Sequence, residues 1–207
     1  VDEAHCISLW GYDFRPDYLR IPQFLKLTKK RPVVAAFTAT ASSYVQKDVS
    51  DILGLRRPFL INAGYRRENL RLMVKPCATE GKKFQRLYGY LSHRLDQSGI
   101  IYCATVENVN KVCDRLLQKG WPAVRYYAEL PEEEKQAAFG SFMSGDNKIM
   151  VATNAFGMGI DKEDIRYIIH FNLAKDLESY WQEIGRAGRD GEDADCILYY
   201  MPQDQEI

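Results

Sequence analysis

The amino-acid sequence predicts an α/β fold in which parallel β-sheets carry helices on both faces. Short runs rich in β-branched and aromatic residues alternate with longer segments of helical apolar periodicity. Several short runs, such as 99–105 and 148–154, are almost continuously apolar, which is typical of strands covered on both faces. This alternation indicates parallel sheets, because each crossover between parallel strands needs a connection long enough for a helix.

Eight strands and four helical segments follow from this pattern. The strands are predicted at 32–38, 59–63, 70–76, 99–105, 123–128, 148–154, 165–172 and 195–201. The helical segments are predicted within 39–55, 105–120, 130–145 and 180–191. Thr105 and Gly120 are the start and stop signals of the second segment. Pro131 takes a first-turn position in the third, beside acidic residues that favour the helix dipole.

Two domains are predicted, joined by a connection around Gly64. Asn62, Gly64 and the charged run 66–68 are typical of a surface connection. Residues 1–63 then form the C-terminal part of a first α/β domain, and residues 64–207 form a complete second one. The first domain has three strands or fewer, which is few for such a sheet. We expect its exposed sheet edge to pair, for instance with a second copy of the chain.

Composition is that of an ordinary globular protein and limits the partners. The 28 Lys and Arg residues balance 28 Asp and Glu residues, so any site for a polyanion must be local. Five scattered cysteines without a CxxC pair argue against a disulfide framework or a zinc site and favour reduced thiols in a cytosolic protein. No apolar run approaches the roughly 20 residues of a membrane span, so no membrane partner is expected. Residue 1 is Val rather than Met, so the natural N-terminus is expected to lie upstream.

The first candidate for catalysis is the string Asp2-Glu3-Ala4-His5. An acidic pair at the end of a buried strand can hold a hydrated Mg²⁺ through one carboxylate, while the other orients a water for attack on phosphate. The alternative interpretation of the same four residues is the start of a helix.

An aromatic-rich segment follows directly. Trp10, Tyr12 and Phe14 alternate around Gly11, and Arg15 closes the run before a proline. Gly and Pro favour a loop, where exposed rings beside an arginine would stack on unpaired bases. The alternative is that the rings pack into the core, as most aromatic side chains do.

Two strand ends carry polar residues suited to binding. The hydroxyls of Thr38 and Thr40 can bond neighbouring backbone or the acids of the first motif, although Thr is also a routine helix cap. Thr153 follows another strand, and glycines such as Gly159 let the backbone come close to a phosphate or a nucleotide. Asp161 stands where a carboxylate could bond a ribose hydroxyl, with a plain turn as the alternative.

The most specific segment is 180–191. Arg186 and Arg189 are three residues apart on a predicted helical stretch, so their guanidinium groups should point the same way. Gly185 and Gly188 inside such a helix cost about 1 kcal/mol each, which suggests close approach of another backbone or a ligand. Two arginines aimed together fit the developing charge of a triphosphate. The alternative is a pair of solvated surface arginines.

In this order and spacing, the five segments resemble the RecQ-type DNA helicases of helicase superfamily 2. The resemblance runs from Val1 to about Pro202 and closes on the motif at 182–191. It implies RecA-like sheets, with a partial first RecA-like domain and a complete second one. The aromatic loop and Gln182 separate this family from relatives that unwind RNA, whose last motif usually opens with His.

The resemblance implies a site for ATP and Mg²⁺. Asp2 would coordinate Mg²⁺ through water, Glu3 would be the general base, and His5 would link the nucleotide site to the DNA site. The last motif would reach across an inter-domain cleft to ATP on the first domain, with Arg189 as the principal arginine finger. The other residues assigned to ATP are Gly159, Asp161, Gln182 and Arg186.

The resemblance also implies contacts with single-stranded and partially duplex DNA. The residues assigned to these contacts and to their coupling are Trp10, Tyr12, Phe14, Arg15, Thr38, Thr40 and Thr153. Leu9 and Tyr12 depart from the Gln and His usual in the aromatic loop. Tyr12 can still stack, but a phenol does not change charge near neutral pH.

The family has a lysine-bearing phosphate loop, and no G-x-x-x-x-G-K-[ST] occurs in residues 1–207. The resemblance thus implies that the chain is the later part of an ATP-driven motor that moves 3′ to 5′ on DNA, in repair or recombination, and we expect it alone to have negligible ATPase activity. The bacterial cytosol or nucleoid is the expected location. Two alternatives stay open: a non-catalytic DNA-binding or regulatory module, and a related superfamily 2 RNA helicase.

Overall fold

The computed structural model describes residues 1–8, 16–38, 43–62, 64, 67–157 and 160–206. It divides into two compact units, Val1–Tyr65 and Arg66–Ile207. Each unit has its own core of buried apolar side chains. No helix within the described ranges is both long enough and apolar enough to cross a membrane.

The first unit holds two α-helices in its described residues, α1 (Ile21–Leu27) and α2 (Ser43–Leu53). Two 3₁₀ turns, Ala4–Ile7 and Pro16–Arg20, precede them. The small core is formed by apolar side chains of the first turn and of α2: Ala4, Ile7, Val45, Val49 and Leu53. Helix α2 lies within the segment 39–55 that the sequence predicts as helical, and its apolar residues face this core.

The strand predicted at 32–38 is wrong, because these residues are not a strand in the structure. The N–H of Ala4 donates to the carbonyl of Phe37 at 2.9 Å, and the N–H of Phe37 donates to the carbonyl of Val1 at 2.8 Å. The run therefore meets the start of the chain at only a few backbone positions. A regular strand needs a continuous ladder of such bonds.

The strand predicted at 59–63 is also wrong for the residues that the structure describes, which exclude residue 63. Phe59 and Ile61 are 89% and 82% exposed. Apolar composition reports a preference for burial, but a strand forms only beside a partner backbone, and 59–62 have none among the described residues. The sheet edge expected to pair with a second copy is thus not formed there, and that pairing stays a prediction.

The second unit is built on a parallel sheet of six strands. In chain order they are β1 (Leu70–Pro76), β2 (Ser98–Tyr102), β3 (Ala123–Tyr126), β4 (Ile149–Ala152), β5 (Ile165–His170) and β6 (Ala194–Tyr200). Their order in the sheet is β1-β6-β5-β2-β4-β3, and every neighbouring pair is parallel. The predicted α/β class is therefore confirmed, and each strand overlaps a run that the apolar pattern indicated.

Four helices cover the two faces of this sheet in the described part of the unit. They are α3 (Glu80–Leu91), α4 (Val106–Leu117), α5 (Glu132–Ser144) and α6 (Leu177–Ile184). Helices α3 and α4 share one apolar core with the sheet, whereas α5 and α6 share another. Within β2, Ile101 belongs to the first core and Ile100 to the second. Burial on both faces explains the continuous apolar runs.

Local capping decides where the helices begin and end. Thr105 precedes α4 as predicted, and its hydroxyl accepts a hydrogen bond from the N–H of Asn108 at 3.2 Å. Helix α5 starts one residue later than predicted, because Pro131 is in an extended conformation with ψ 144° and stands before the helix. The same helix ends at Ser144 and is capped by Gly145, whose φ of 83° suits glycine.

Gly99 in β2 leaves room for the ring of Tyr167 on the neighbouring strand β5. A Cβ atom at Gly99 would lie 2.0 Å from Tyr167 Cε2, and Tyr167 is fully buried. We predict that Gly99→Ala lowers the free energy of unfolding by about 1–3 kcal/mol, because the ring has nowhere to move. Gly89→Ala on α3, where a Cβ meets nothing within 4 Å, is the matched control and should be neutral or slightly stabilising. Urea denaturation measures both, and equal stability of the two variants would contradict the prediction.

Candidate functional site

The acidic motif at the start of the first unit forms a tight turn. Asp2 is exposed, and its Oδ1 accepts a hydrogen bond from the N–H of Glu3 at 2.9 Å. Glu3 has φ 46° and ψ 46°, a left-handed conformation that costs a non-glycine residue about 1–2 kcal/mol. Such strain collects at functional sites, where the surrounding structure holds it in place. The turn thus presents two carboxylates, with the side chain of Glu3 44% exposed.

His5 connects this turn to Thr38. His5 is buried, and its Nδ1 lies 2.9 Å from Thr38 Oγ1 and 3.3 Å from Glu3 Oε2. That carboxylate oxygen accepts no hydrogen bond within the described part of the chain. The structure therefore brings Glu3 and Thr38 together at one nitrogen of the His5 ring.

Several predicted site residues lie outside the described residues. They are Trp10, Tyr12, Phe14, Arg15, Thr40 and Gly159. Their assignments to DNA or to the nucleotide stay predictions.

In the second unit, the loop that follows β4 begins at Thr153. The N–H of Thr153 donates to the carbonyl of Tyr126 at 3.2 Å, and its hydroxyl accepts from the N–H of Ala155 at 3.4 Å. Because β4 lies inside a parallel sheet, this loop emerges at the carboxyl edge, where such sheets bind ligands. At the far end of the loop, the side chain of Asp161 is 86% exposed. The loop therefore offers polar groups at a position suited to a ligand.

The arginine-bearing motif is a helix end followed by a turn. Helix α6 carries the half-buried Gln182 and ends at Ile184, with Gly185 as its C-cap. Arg186 and Arg189 therefore lie in the turn, and their prediction on one helical stretch is wrong. The physical reason lies partly in Gly188, whose φ of 54° is left-handed and incompatible with a helix interior.

Both guanidinium groups nevertheless bind one loop. Arg186 Nη1 donates to the carbonyl of Gly157, and Arg189 Nη1 donates to the carbonyl of Ile160 at 2.7 Å. Arg189 also lies 3.5 Å from Asp161 Oδ1. A Cβ at position 157 would lie 2.2 Å from Arg186 Nη2, so glycine is needed for this contact. The two side chains thus converge on the loop by turn geometry.

Two residues that the sequence pattern does not single out hold this turn from outside. Arg67 Nη2 donates to the carbonyls of Ala187 and Gly188 at 3.1 and 2.6 Å. Asn69 Nδ2 donates to the carbonyls of Gly188 and Glu192, both at 2.9 Å. A Cβ at Gly188 would lie 2.6 Å from that amide nitrogen, which is the close approach predicted for this glycine. The partners lie about 120 residues apart in sequence, so no local signal reveals them.

An ion pair between Arg166 and Asp190 closes the other side of the turn. Burial by itself would raise the pKa of the Asp190 carboxyl. The pKa nevertheless lies below its ordinary value, because the N–H of Glu192 and the Arg166 guanidinium donate hydrogen bonds to the carboxylate. The lowered pKa means that Asp190 stabilises the turn above the ordinary carboxyl range. This contribution is lost as the pH falls through the lowered pKa.

Metal-binding groups are sparse. Within the described ranges, no three His, Cys, Asp or Glu side chains form a group that could hold a metal ion. The five cysteines are buried and free, and burial raises the pKa of Cys113 to about 11. A hydrated Mg²⁺ needs only one or two carboxylates beside substrate phosphates, so the pair Asp2 and Glu3 is of the right kind.

A parallel sheet with helices on both faces is the α/β class to which RecA-like domains belong, and a solved structure shows the same fold. That structure, Saccharomyces cerevisiae Dbp5 bound to RNA and ADP BeF3, has a TM-score of 0.81 with this chain, at 22% identity, over 99% of this chain and 53% of Dbp5. At this identity the likeness concerns the fold alone.

Sequence relatives give the family. The helicase conserved C-terminal domain matches residues 82–191. ATP-dependent DNA helicase RecQ of Bacillus subtilis is 39% identical over 205 residues, which are 99% of this chain and 34% of that protein. ATP-dependent DNA helicase hus2/rqh1 of Schizosaccharomyces pombe is 41% identical over 206 residues, 99% of this chain and 15% of that protein. The chain belongs to the helicase conserved C-terminal domain family and spans about a third or less of these relatives.

Proposed function

We propose that this chain is part of an ATP-dependent DNA helicase that couples ATP hydrolysis to 3′-to-5′ movement on single-stranded DNA and to duplex unwinding. The observation that carries the proposal is the convergence of Arg186 and Arg189 on the loop 157–161. It occurs in a chain 39–41% identical to proteins named ATP-dependent DNA helicases. Two guanidinium groups that converge on one backbone segment suit the phosphates of ATP.

In this proposal Asp2 holds Mg²⁺ through water and Glu3 is the general base. Asp2 is exposed, and one carboxylate suffices for a hydrated Mg²⁺. The side chain of Glu3 is 44% exposed, so its carboxylate can take the proton of an attacking water. When bound, Mg²⁺ neutralises charge that develops on the phosphate oxygens.

Arg189 is proposed as the principal arginine finger. Its side chain is 36% exposed and is held by the carbonyl of Ile160 and a longer contact to Asp161. Arg186 is more firmly docked, because its Nε is buried and its Nη1 bonds the carbonyl of Gly157. The remaining nucleotide contacts are proposed for His5, Gly159, Asp161 and Gln182.

Coupling to DNA is proposed to run through the contact between His5 and Thr38, which lie 2.9 Å apart. The residues proposed to contact single-stranded or partially duplex DNA, or to relay that contact, are Trp10, Tyr12, Phe14, Arg15, Thr38, Thr40 and Thr153. Base stacking on the aromatic loop would give sequence-tolerant binding. A role on DNA in repair or recombination places the protein with the chromosome, which for a bacterial source is the cytosol or nucleoid.

Replacing the proposed base tests the catalytic assignment. In a full-length protein carrying this sequence, Glu3→Gln should lower kcat of DNA-stimulated ATP hydrolysis by about 10²–10⁴-fold while ATP affinity stays within about 2-fold. Glu107→Gln, on the exposed first turn of α4, is the matched control and should keep full activity. Unchanged hydrolysis by the Glu3 variant would remove it from the mechanism.

Strand separation assays decide among the functions. Unwinding of 3′-tailed DNA but not of RNA by the full-length protein supports the proposal. Unwinding of RNA alone identifies an RNA helicase, and DNA binding without hydrolysis identifies a non-catalytic module. The 207-residue chain by itself should show negligible turnover.

A further inference from the structure

A buried acid–imidazole pair lies beneath the arginine turn. Glu183, on the last turn of α6, and His170, at the end of β5, approach to 2.7 Å between Oε2 and Nε2. Their side chains are only 9% and 1% exposed. Neither is a candidate residue on sequence grounds, and both side chains are almost wholly buried, so their contacts are with neighbouring protein groups.

The imidazole ring of His170 also contacts Tyr102. The His170 ring stacks on the Tyr102 ring, at 5.5 Å between centroids and 26° between planes. Tyr180 of α6 packs nearby, at 4.9 Å from the His170 ring centroid. The Tyr102 hydroxyl donates to the carbonyl of Phe156 at 2.9 Å. The ends of β5 and β2 are thus joined to the loop that follows β4.

This loop is where Arg186 is docked. Phe156 is followed directly by Gly157, whose carbonyl accepts the hydrogen bond of Arg186 Nη1. Without a side chain at 157, the guanidinium lies against the backbone itself. Any shift of the Phe156 carbonyl therefore displaces the acceptor of the arginine one residue later.

The protonation of each group follows from its surroundings. His170 Nδ1 is buried without a hydrogen-bond partner in the described part of the chain, so a proton there would be an unsatisfied donor. A proton on Nε2, by contrast, has the Glu183 carboxylate as its acceptor at 2.7 Å. Burial raises the pKa of the Tyr102 hydroxyl well above its ordinary value. The charge of Arg186 opposes this shift, and the charge of Glu183 adds to it. The phenol thus stays protonated and donates to Phe156 throughout the physiological range.

We propose that Glu183, His170 and Tyr102 are positioning residues that fix the loop at Phe156 and Gly157 and thereby the guanidinium of Arg186. They touch no substrate. The inference rests on the proposed function, because it assigns these residues to the support of an ATP-hydrolysing site. One buried hydroxyl, on Tyr102, thus controls the placement of an arginine on another element.

Deleting that hydroxyl tests the inference in the full-length protein. Tyr102→Phe should lower kcat of DNA-stimulated ATP hydrolysis by about 10- to 100-fold, with the KM for ATP changed less than about 2-fold. Tyr90→Phe is the matched control, because it deletes another tyrosine hydroxyl, bonded to Asp195 Oδ2 at 2.8 Å. It should keep the wild-type kcat. Glu183→Gln should reproduce the Tyr102 effect, and the double variant should be no worse than the poorer single one, since both act through one path.

A second measurement needs no activity. In ¹H–¹⁵N spectra of the 207-residue chain, the buried Nε–H of Arg186, assigned through Arg186→Lys, should exchange slowly with solvent. Its exchange should accelerate about tenfold or more in Tyr102→Phe and stay unchanged in Tyr90→Phe. An unchanged Arg186 signal in Tyr102→Phe overturns the inference, whatever the ATPase result. A wild-type full-length protein without ATPase activity would instead overturn the proposed function. The spectra would still show whether the Tyr102 hydroxyl fixes the position of Arg186.

Discussion

Replacing Arg189 by alanine in the full-length protein is expected to lower kcat for ATP hydrolysis by about 10³-fold or more, with a much smaller change in the KM for ATP. A guanidinium that meets charge developing on the transferred phosphoryl group acts mainly in the transition state. Arg189 is suited to this role because its side chain is 36% exposed and is held by the carbonyl of Ile160, 2.7 Å away, which a phosphate could replace. Single-turnover hydrolysis in the presence of single-stranded DNA measures the effect.

Arg125→Ala is the matched control for this variant. Arg125 is similarly exposed, at 30%, and pairs with Asp114 at 2.6 Å on β3 and α4, outside the proposed site. Its loss should leave hydrolysis unchanged. Arg189→Lys keeps the charge but not the planar fork of donors and should recover only part of the rate. A kcat for Arg189→Ala within about threefold of the wild type would refute the finger assignment, provided that its stability falls by less than about 1 kcal/mol.

The sheet of the second unit follows from the sequence because its strands are buried on both faces. Runs such as 99–105 are apolar without interruption, and only strands or core helices tolerate that pattern. The same reasoning fails at 59–63, where the apolar residues Phe59 and Ile61 stay exposed. Composition reports how strongly a segment prefers burial, whereas pairing depends on a neighbouring backbone that local sequence does not show.

The candidate site likewise has contacts that the sequence predicts and contacts that it does not. The pairing of Arg186 with Arg189 follows from the motif, because residues three apart in a compact turn or helix point to similar regions. The contacts from Arg67, about 120 residues away, have no local signal. The pair of His170 and Glu183 is hidden for a related reason, since only the packing of α6 against the end of β5 brings the two side chains to 2.7 Å. Tertiary contacts decide which polar residues act together.

Replacing Lys83 by methionine is expected to lower the free energy of unfolding of the second unit by about 3–5 kcal/mol. Lys83 on α3 is 1% exposed, and its Nζ donates to the carbonyl of Phe171 at 2.6 Å and to both oxygens of Asp204 at 2.7 Å. Without the ammonium group, the donors to the buried Asp204 carboxylate among the described residues are the amide of Asn172 and the N–H of Met201. Neutral donors do not compensate a buried charge as an ammonium does.

Lys82→Met, one residue earlier on the same helix, separates this effect from a general loss of lysine. Lys82 is exposed and its ammonium group donates to Gln85 at 2.8 Å, so its replacement should change stability by less than about 0.5 kcal/mol. The double variant Lys83→Met with Asp204→Leu removes both charges and should recover most of the loss, because apolar side chains can replace a buried ion pair. Urea denaturation followed by circular dichroism compares the three. If the double variant is no more stable than Lys83→Met, the loss comes from packing around the lysine stem, and the uncompensated carboxylate is not its cause.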